Sequence, residues 1–428
     1  MMDLKGKKLL ILGASELERL IVERAREWGM YTIVTDYNKN WQDSPAKYAA
    51  EEAWDVSWSD QEQLYRLCLE HGVDGVTAGF SEFRVEHAIL LCEKLKLPFY
   101  ASKEQLELTR SKDKFKECCR KYGVPTVPAY EGIHGTEDID GADIHFPVIV
   151  KPVDRAGSIG ITICHDKEGL KKANDYALSL SAGKKTIIEK FMAGCSEFNA
   201  YYMIQNGKAI LSCTADKKNS RKEQGEKIVP NAEIFPSCYQ KDFLQKADKN
   251  MKAMIEGQNI QNGCIFITGF VDENREFYFF ETGFRLSTEL SYYFIKSKCR
   301  YDALDLILYS SFTGDTSDMD LSDIIQKQDC WAGATLYSYA KKGMIQKIQC
   351  SLPENLKAHV NCIARYLREG ELAEEKDSTF HNAITGCIHA ETKEKLRELV
   401  GQYNQQIQIL DETGKSLIYD RLQPEEIR

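Results

Sequence analysis

The sequence predicts a multidomain α/β protein, and three observations carry that reading. Near the amino terminus a short apolar strand, a glycine turn, a helix and a second strand follow one another. The middle of the chain holds apolar strands that end in charged residues, interleaved with helical and hairpin segments. The last hundred or so residues alternate apolar and polar positions between turn residues. A chain of 428 residues has room for roughly two to four domains. The expected parts are a Rossmann-like N-terminal domain (1–108), a two-lobed α+β domain (109–318, dividing near 183/184) and a small β-rich C-terminal module (319–428).

The first strand is 8–12 (KLLIL), short enough to be buried along its length. Gly13-Ala14-Ser15 makes a tight turn, and 18–28 has helical spacing with Leu20, Ile21, Ala25 and Trp28 apolar. The second strand, 31–35 (YTIVT), is closed by Asp36. This is the layout of half a dinucleotide fold, but Gly13 stands alone where such a site needs three spaced glycines, which excludes a nicotinamide cofactor. A further strand at 73–78 and a helix at 85–95 place Glu82 just past a strand's carboxyl end, where ligands collect in open α/β sheets. Glu82 is a candidate substrate contact, weighed against an ordinary acid at a helix start.

Composition excludes several classes. Hydrophobic and charged fractions of 43% and 28% are those of an ordinary globular chain, so disorder is not expected. The net charge of −9 is spread along the chain without a basic stripe, which argues against a nucleic-acid or anionic-membrane partner. Apolar runs are too short to cross a bilayer, and the first residues lack a signal-peptide apolar stretch, so a cytoplasmic location is expected. The 14 cysteines form no C-x-x-C pair and the eight histidines are dispersed, which leaves no zinc or iron–sulfur pattern.

Charge recurs at strand ends and loop starts in one order. Lys112 lies in 109–115 (TRSKDKF), Lys151 closes 146–150 (FPVIV), Glu189 closes 186–188 (TII), and Glu281 with Arg285 follows 277–280 (FYFF). Two cations, a carboxylate, then a carboxylate with a guanidinium suit a metal-held triphosphate. In this order the chain from about residue 5 to 310 resembles the ATP-grasp superfamily, on the side of biotin carboxylase, carbamoyl-phosphate synthetase large subunit and phosphoribosylglycinamide synthetase. The resemblance implies that Lys112 and Lys151 bind the phosphates, the spacing to Gly123-Val124-Pro125 selecting Lys112 over Lys114. The loop 154–160 (DRAGSIG) resembles the family's phosphate-covering lid, with Gly157, Ser158 and Gly160 as cofactor-binding residues, and is expected to be mobile without ligand. Glu189-Lys190-Phe191-Met192 is similar to the hinge that meets adenine, and Glu197 to the acid that reaches the nucleoside. Glu281 is the implied metal ligand, and Arg285 with Lys151 the implied catalytic pair.

Departures from the family pattern sit around the metal. Gly283 replaces a customary Asn, Gly269 beside Thr268 replaces the first acidic ligand, and Thr288-Glu289 replaces a Gly-Gly, so either Glu289 from the next turn or water molecules are expected to complete the metal shell. The implied cofactors are ATP and Mg2+, and the implied activity is an ATP-dependent ligase joining a carboxylate to an amine or related nitrogen nucleophile through an acyl phosphate. Partners are small-molecule carboxylate and amine substrates, with no nucleic acid and no membrane, and a homodimer is left open. The two glycines keep open an alternative, a degenerate member that binds nucleotide without turnover as a sensor or partner subunit.

Downstream, 198–204 and 209–214 form a hairpin through Asn206-Gly207, with Asp216-Lys217 leaving it toward the triphosphate or acceptor. The segment 239–255 reads as one helix, and 263–271 with 275–280 as a second hairpin. After a polar stretch at 313–318, alternation in 331–337, 345–348 and 384–389 and a helix at 392–403 resemble the family's C-terminal cap.

Overall fold

The computed structural model describes residues 1–133, 136–155, 159–220, 229–327, 331–376 and 379–428. Strands β1 (Lys8–Leu12), β2 (Tyr31–Thr35), β3 (Glu52–Trp54) and β4 (Gly75–Ala78) form a parallel sheet in the order β3-β2-β1-β4. The helix after β1, Glu16–Glu27, starts two residues earlier than the periodicity suggested, because Ser15 caps it and Glu18 bonds back to the Ser15 amide. Gly13 has φ +103°, and a Cβ there would fall 1.9 Å from Nη1 of Arg84, which pairs with Glu18 at 2.9 Å. The lone glycine therefore accommodates an internal ion pair, and the helix start holds the chain's own carboxylate.

A small lobe follows. Strands β5 (Val148–Pro152), β6 (Thr162–Cys164) and β7 (Thr186–Lys190) form an antiparallel sheet in the order β6-β5-β7, which spans the 183/184 division. Helix Lys167–Leu180 closes its core over Val148, Val150, Leu170, Ala177 and Ile188.

The large sheet contains nine strands among the described residues. They include β8 (Ser196–Gln205), β9 (Lys208–Asn219), β10 (Pro230–Phe235), β11 (Asn262–Val271), β12 (Phe277–Gly283) and β13 (Ala332–Ala340), in the order β12-β11-β8-β9-β10-β13. Strands Thr379–Ala390 and Val360–Arg365 then continue the same sheet, so the C-terminal strands extend the body's main layer. Asn206 and Gly207, at φ 50° and 75°, turn the first hairpin as their residue types require. The single helix expected over 239–255 is two, Gln240–Lys246 and Asp248–Glu256, hinged at Ala247. The bend buries both Phe243 and Met251, and Asp248 accepts from Tyr202 Oη at 2.7 Å.

Helix Ala303–Thr313 ties the N-terminal unit to the body: Arg24 reaches Asp302 at 2.8 Å and Asp305 at 3.1 Å, all three side chains buried. That clamp fixes the cleft between the two. Among the described residues no helix is long and apolar enough to cross a membrane.

Candidate active site

Lys112 begins helix Lys112–Tyr122, and one turn later on the same side comes Lys116. Lys116 is buried, bonded to the Val127 carbonyl and 2.5 Å from Glu189 Oε1. From the other side, the pairing of β5 with β7 puts Lys151 and Glu189 on one face, with Lys151 Nζ 2.5 Å from Glu189 Oε2. Glu189 is 1% exposed and each of its oxygens holds a lysine. The expected contact of this carboxylate with adenine is overturned by that inward placement: Glu189 positions Lys151 and neutralises Lys116. Lys116 escaped the sequence reading, although its spacing of four from Lys112 was a usable signal.

Lys112 Nζ donates to the Arg155 carbonyl at 2.7 Å. Burial lowers its pKa, Glu281 offsets this and Lys151 adds to it, which puts Lys112, Lys151 and Glu281 in one electrostatic field. A register shift in the β11–β12 pair sets Thr268 opposite Glu281 and Gly269 opposite Phe279. Lys151 lies 5.1 Å over the ring of the bulged Phe280.

The two unusual glycines have a packing reason. A Cβ at Gly269 would lie 2.7 Å from Phe279 Cδ1, and one at Gly283 only 2.4 Å from two ring carbons of Phe266. Aromatic rings fill the space where the family pattern places oxygen ligands. Glu281 itself is half-buried and has no hydrogen-bond or ion-pair partner among the described residues. An unpaired carboxylate between two lysines, with the Thr268 hydroxyl opposite, fits a hard divalent cation that keeps several waters. Among the described residues no group of three or more acidic, histidine or cysteine side chains is gathered to hold a metal.

Glu289, expected beside Glu281 at the metal, follows β12 on a segment that crosses toward β13. Its carbonyl accepts from Thr335 Oγ1 at 2.6 Å, which ties it over β13, five places from β12 in the sheet. Lys217 lies within electrostatic reach of both Glu289 and Glu281. Glu289 also sits with Glu233, Tyr201 and Tyr337, whose titrations its charge raises.

Arg285 Nε lies 2.9 Å from Glu82 Oε1, its Nη1 donates to the Leu286 carbonyl at 2.9 Å, and its guanidinium covers the Phe266 ring at 5.0 Å. Glu82 opens helix Glu82–Leu95 of the N-terminal unit. Between the units lies a cleft lined by Glu82, Phe83, Arg110, Lys112, Glu281 and Arg285. Glu82 is thus brought to the same place as Lys112, Glu281 and Arg285.

In the hinge, the Lys190 amide donates to the Pro128 carbonyl and the Phe191 amide to that of Pro147, while the Met192 amide has no such bond among the described residues. Glu197 accepts from Asn219 at 2.8 Å and pairs with Lys217 at 3.5 Å. Asp216, read with Lys217 as leaving toward the site, turns away and is held by Ser237 and the Cys238 amide. Gly157 and Ser158 lie outside the described residues. Gly160 does not: its Cα packs against Pro152 and Leu180, and Asp154 and Arg155 are bonded to Gly183 and Leu180, so both ends of the loop are anchored.

Residues 111–292 match the family described as carbamoyl-phosphate synthase L chain, ATP binding domain. The chain is similar to the 2-oxoglutarate carboxylase small subunit of Hydrogenobacter thermophilus, 24% identical over 309 residues, covering 66% of this chain and 62% of that protein. It is also similar to a formate-dependent phosphoribosylglycinamide formyltransferase of Prochlorococcus marinus, 26% identical over 196 residues, covering 45% and 49%. The matched part thus spans less than two thirds of these relatives' length. Among solved structures, it is similar to the biotin carboxylase domain dimer of the Hydrogenobacter thermophilus carboxylase in complex with MgADP, ADP and bicarbonate. There the TM-score is 0.76 at 19% identity, over 94% of this chain and 90% of that one. The L-amino acid ligase from Bacillus licheniformis gives 0.74 at 18%, over 95% and 99%. At these identities the structural likeness is one of fold.

Proposed function

We propose that this chain, which belongs to the ATP-grasp superfamily, is an ATP-dependent ligase that activates a carboxylate as an acyl phosphate and passes it to an amine. The observation that carries this reading is the convergence of Lys112, Glu281 and Arg285 on a cleft closed by the N-terminal unit, with the buried Lys151 close enough to act on Lys112. Magnesium held by Glu281 would add positive charge against the triphosphate. Lys112 and Lys151 neutralise phosphate oxygens, with Lys151 exchanging Glu189 for phosphate. The Met192 amide meets the adenine edge. Arg285, exchanging Glu82 for the substrate carboxylate, holds that group where one of its oxygens attacks the γ-phosphorus as ADP leaves. The amine nitrogen, as the free base, then bonds to the acyl carbon, phosphate departs with the C–O electron pair, and the proton shed by the nitrogen passes to that phosphate.

The test is a melting shift with MgATP, expected in the wild type and abolished in Lys151→Ala. No shift in the wild type overturns the reading. The rings packed against Gly269 and Gly283 favour the second reading, nucleotide binding without turnover. A shift without phosphate release across a panel of paired carboxylates and amines would select it.

A further inference from the structure

Lys217 lies within electrostatic reach of Glu281, at the triphosphate end of the cleft, and of a second group of acids, Glu233 and Glu289. Across the large sheet one register row runs Glu197, Lys217, Glu233 and Thr335 on β8, β9, β10 and β13. Residues directly opposed in a ladder project to the same side, so all four share a face. The bond from Thr335 sets Glu289 over this row. From β8, Asn199 Nδ2 reaches Glu233 Oε1 at 2.6 Å and Tyr201 Oη reaches Oε2 at 2.6 Å. Tyr337, two residues beyond Thr335, completes the wall.

Among the described residues the charges here do not balance. Glu233 is 0% exposed and bonded to neutral groups. Its strongest charged neighbour is another carboxylate, Glu289, and the ammonium that opposes this, Lys217, is already paired with Glu197. Burial and then Glu289 push the Glu233 carboxyl up to about 8, against Lys217. Glu289 has no ion-pair partner among the described residues. A separate observation points the same way: Asn199 is 3% exposed, borders Glu233, and its Oδ1 has no donor among the described residues. A buried acceptor beside surplus carboxylates lacks a cation that carries N–H groups.

We propose that Glu233, Glu289 and Asn199, walled by Tyr201 and Tyr337, bind the ammonium group of the amine that accepts the activated carboxylate. The proposal rests on the ligase reading and gives its second substrate a class. An ammonium ion offers three N–H donors to two carboxylates and an amide oxygen, and tyrosine rings accept a cation on their faces. A small anion in the same place would face two carboxylates with Lys217 already engaged, so a bicarbonate-type co-substrate is disfavoured.

The full chain is first melted with magnesium and a non-hydrolysable ATP analogue; if that gives no shift, the ligase reading itself falls. Onto the loaded protein, ethylamine, 1,3-diaminopropane, an amino-acid amide, bicarbonate and formate are then titrated separately. At least one amine is expected to add to the melting shift and neither anion to do so. Glu289→Gln and Glu233→Gln are each expected to weaken the amine's apparent affinity about tenfold or more while leaving the nucleotide shift unchanged. If no amine shifts the loaded wild type, if an anion does, or if both variants keep wild-type amine affinity, the proposal is overturned with the nucleotide reading intact. Should Glu233→Gln fail to fold, the half-buried Glu289 decides alone.

Discussion

Replacing Glu189 by Gln separates a ligand-contact role from a structural one. The substitution keeps the side-chain shape and leaves Lys116 and Lys151, both under 10% exposed, facing a neutral amide. Breaking a buried ion pair from one side costs about 3–5 kcal/mol, because the remaining charge is desolvated without a partner. The loss falls on the small lobe, where β7 and helix Lys112–Tyr122 meet, so its amides should exchange faster than those of the large sheet. Urea unfolding and hydrogen exchange measure the two effects. Phosphate oxygens can replace the missing carboxylate, so MgATP should stabilise the variant more than it stabilises the wild type. A variant that melts with the wild type but loses its MgATP shift would refute the argument and return Glu189 to the nucleotide.

Three further outcomes are expected. Gly283→Ala should destabilise by about 1–3 kcal/mol through overpacking against Phe266, and Gly283→Asn should gain Mn2+ affinity by paramagnetic resonance only when combined with Phe266→Ala. Glu233 has its pKa raised from 4.5 to about 8, so its contribution to stability is complete below 4.5 and is lost as pH rises toward 8. Apo stability should fall across that window by up to about 1.4 kcal/mol per pH unit, and Glu233→Gln should flatten the slope. Glu82→Gln frees Arg285 from its partner at 2.9 Å and should lower the KM for the carboxylate substrate with the MgATP shift unchanged; an unaltered KM would place that substrate elsewhere.

What the sequence showed and hid follows from the range of each interaction. The early strands, the Asn206-Gly207 turn and the lysine and carboxylate strand ends are written in spacings of two to four residues, which local pattern reading captures. The break at Ala247 has no glycine or proline to announce it; it is set by what Phe243 and Met251 pack against. The Lys116–Glu189–Lys151 clamp joins a helix to two strands far apart in the chain, and no single segment encodes it. Gly283 read as a lost ligand because its neighbour Phe266 lies across the ladder, visible only once β11 and β12 are paired. The bond between Thr335 and the Glu289 carbonyl depends on the return of the chain as β13, which no local pattern records.

Three of the site's cations are held in advance by the chain's own acids, and this orders the events of binding. Lys151 has Glu189, Arg285 has Glu82 and Lys217 has Glu197, whereas Glu281 has no ion-pair partner among the described residues. A triphosphate arriving alone must displace Glu189 from Lys151 while adding negative charge next to Glu281. A magnesium-bound triphosphate brings to Glu281 the cation it lacks, so the repulsion becomes an attraction. The Arg285–Glu82 bond is different in kind, because it joins the body to the N-terminal unit across the cleft. A substrate carboxylate that takes Arg285 also removes this link, so carboxylate binding and the opening between the two units are coupled through one guanidinium.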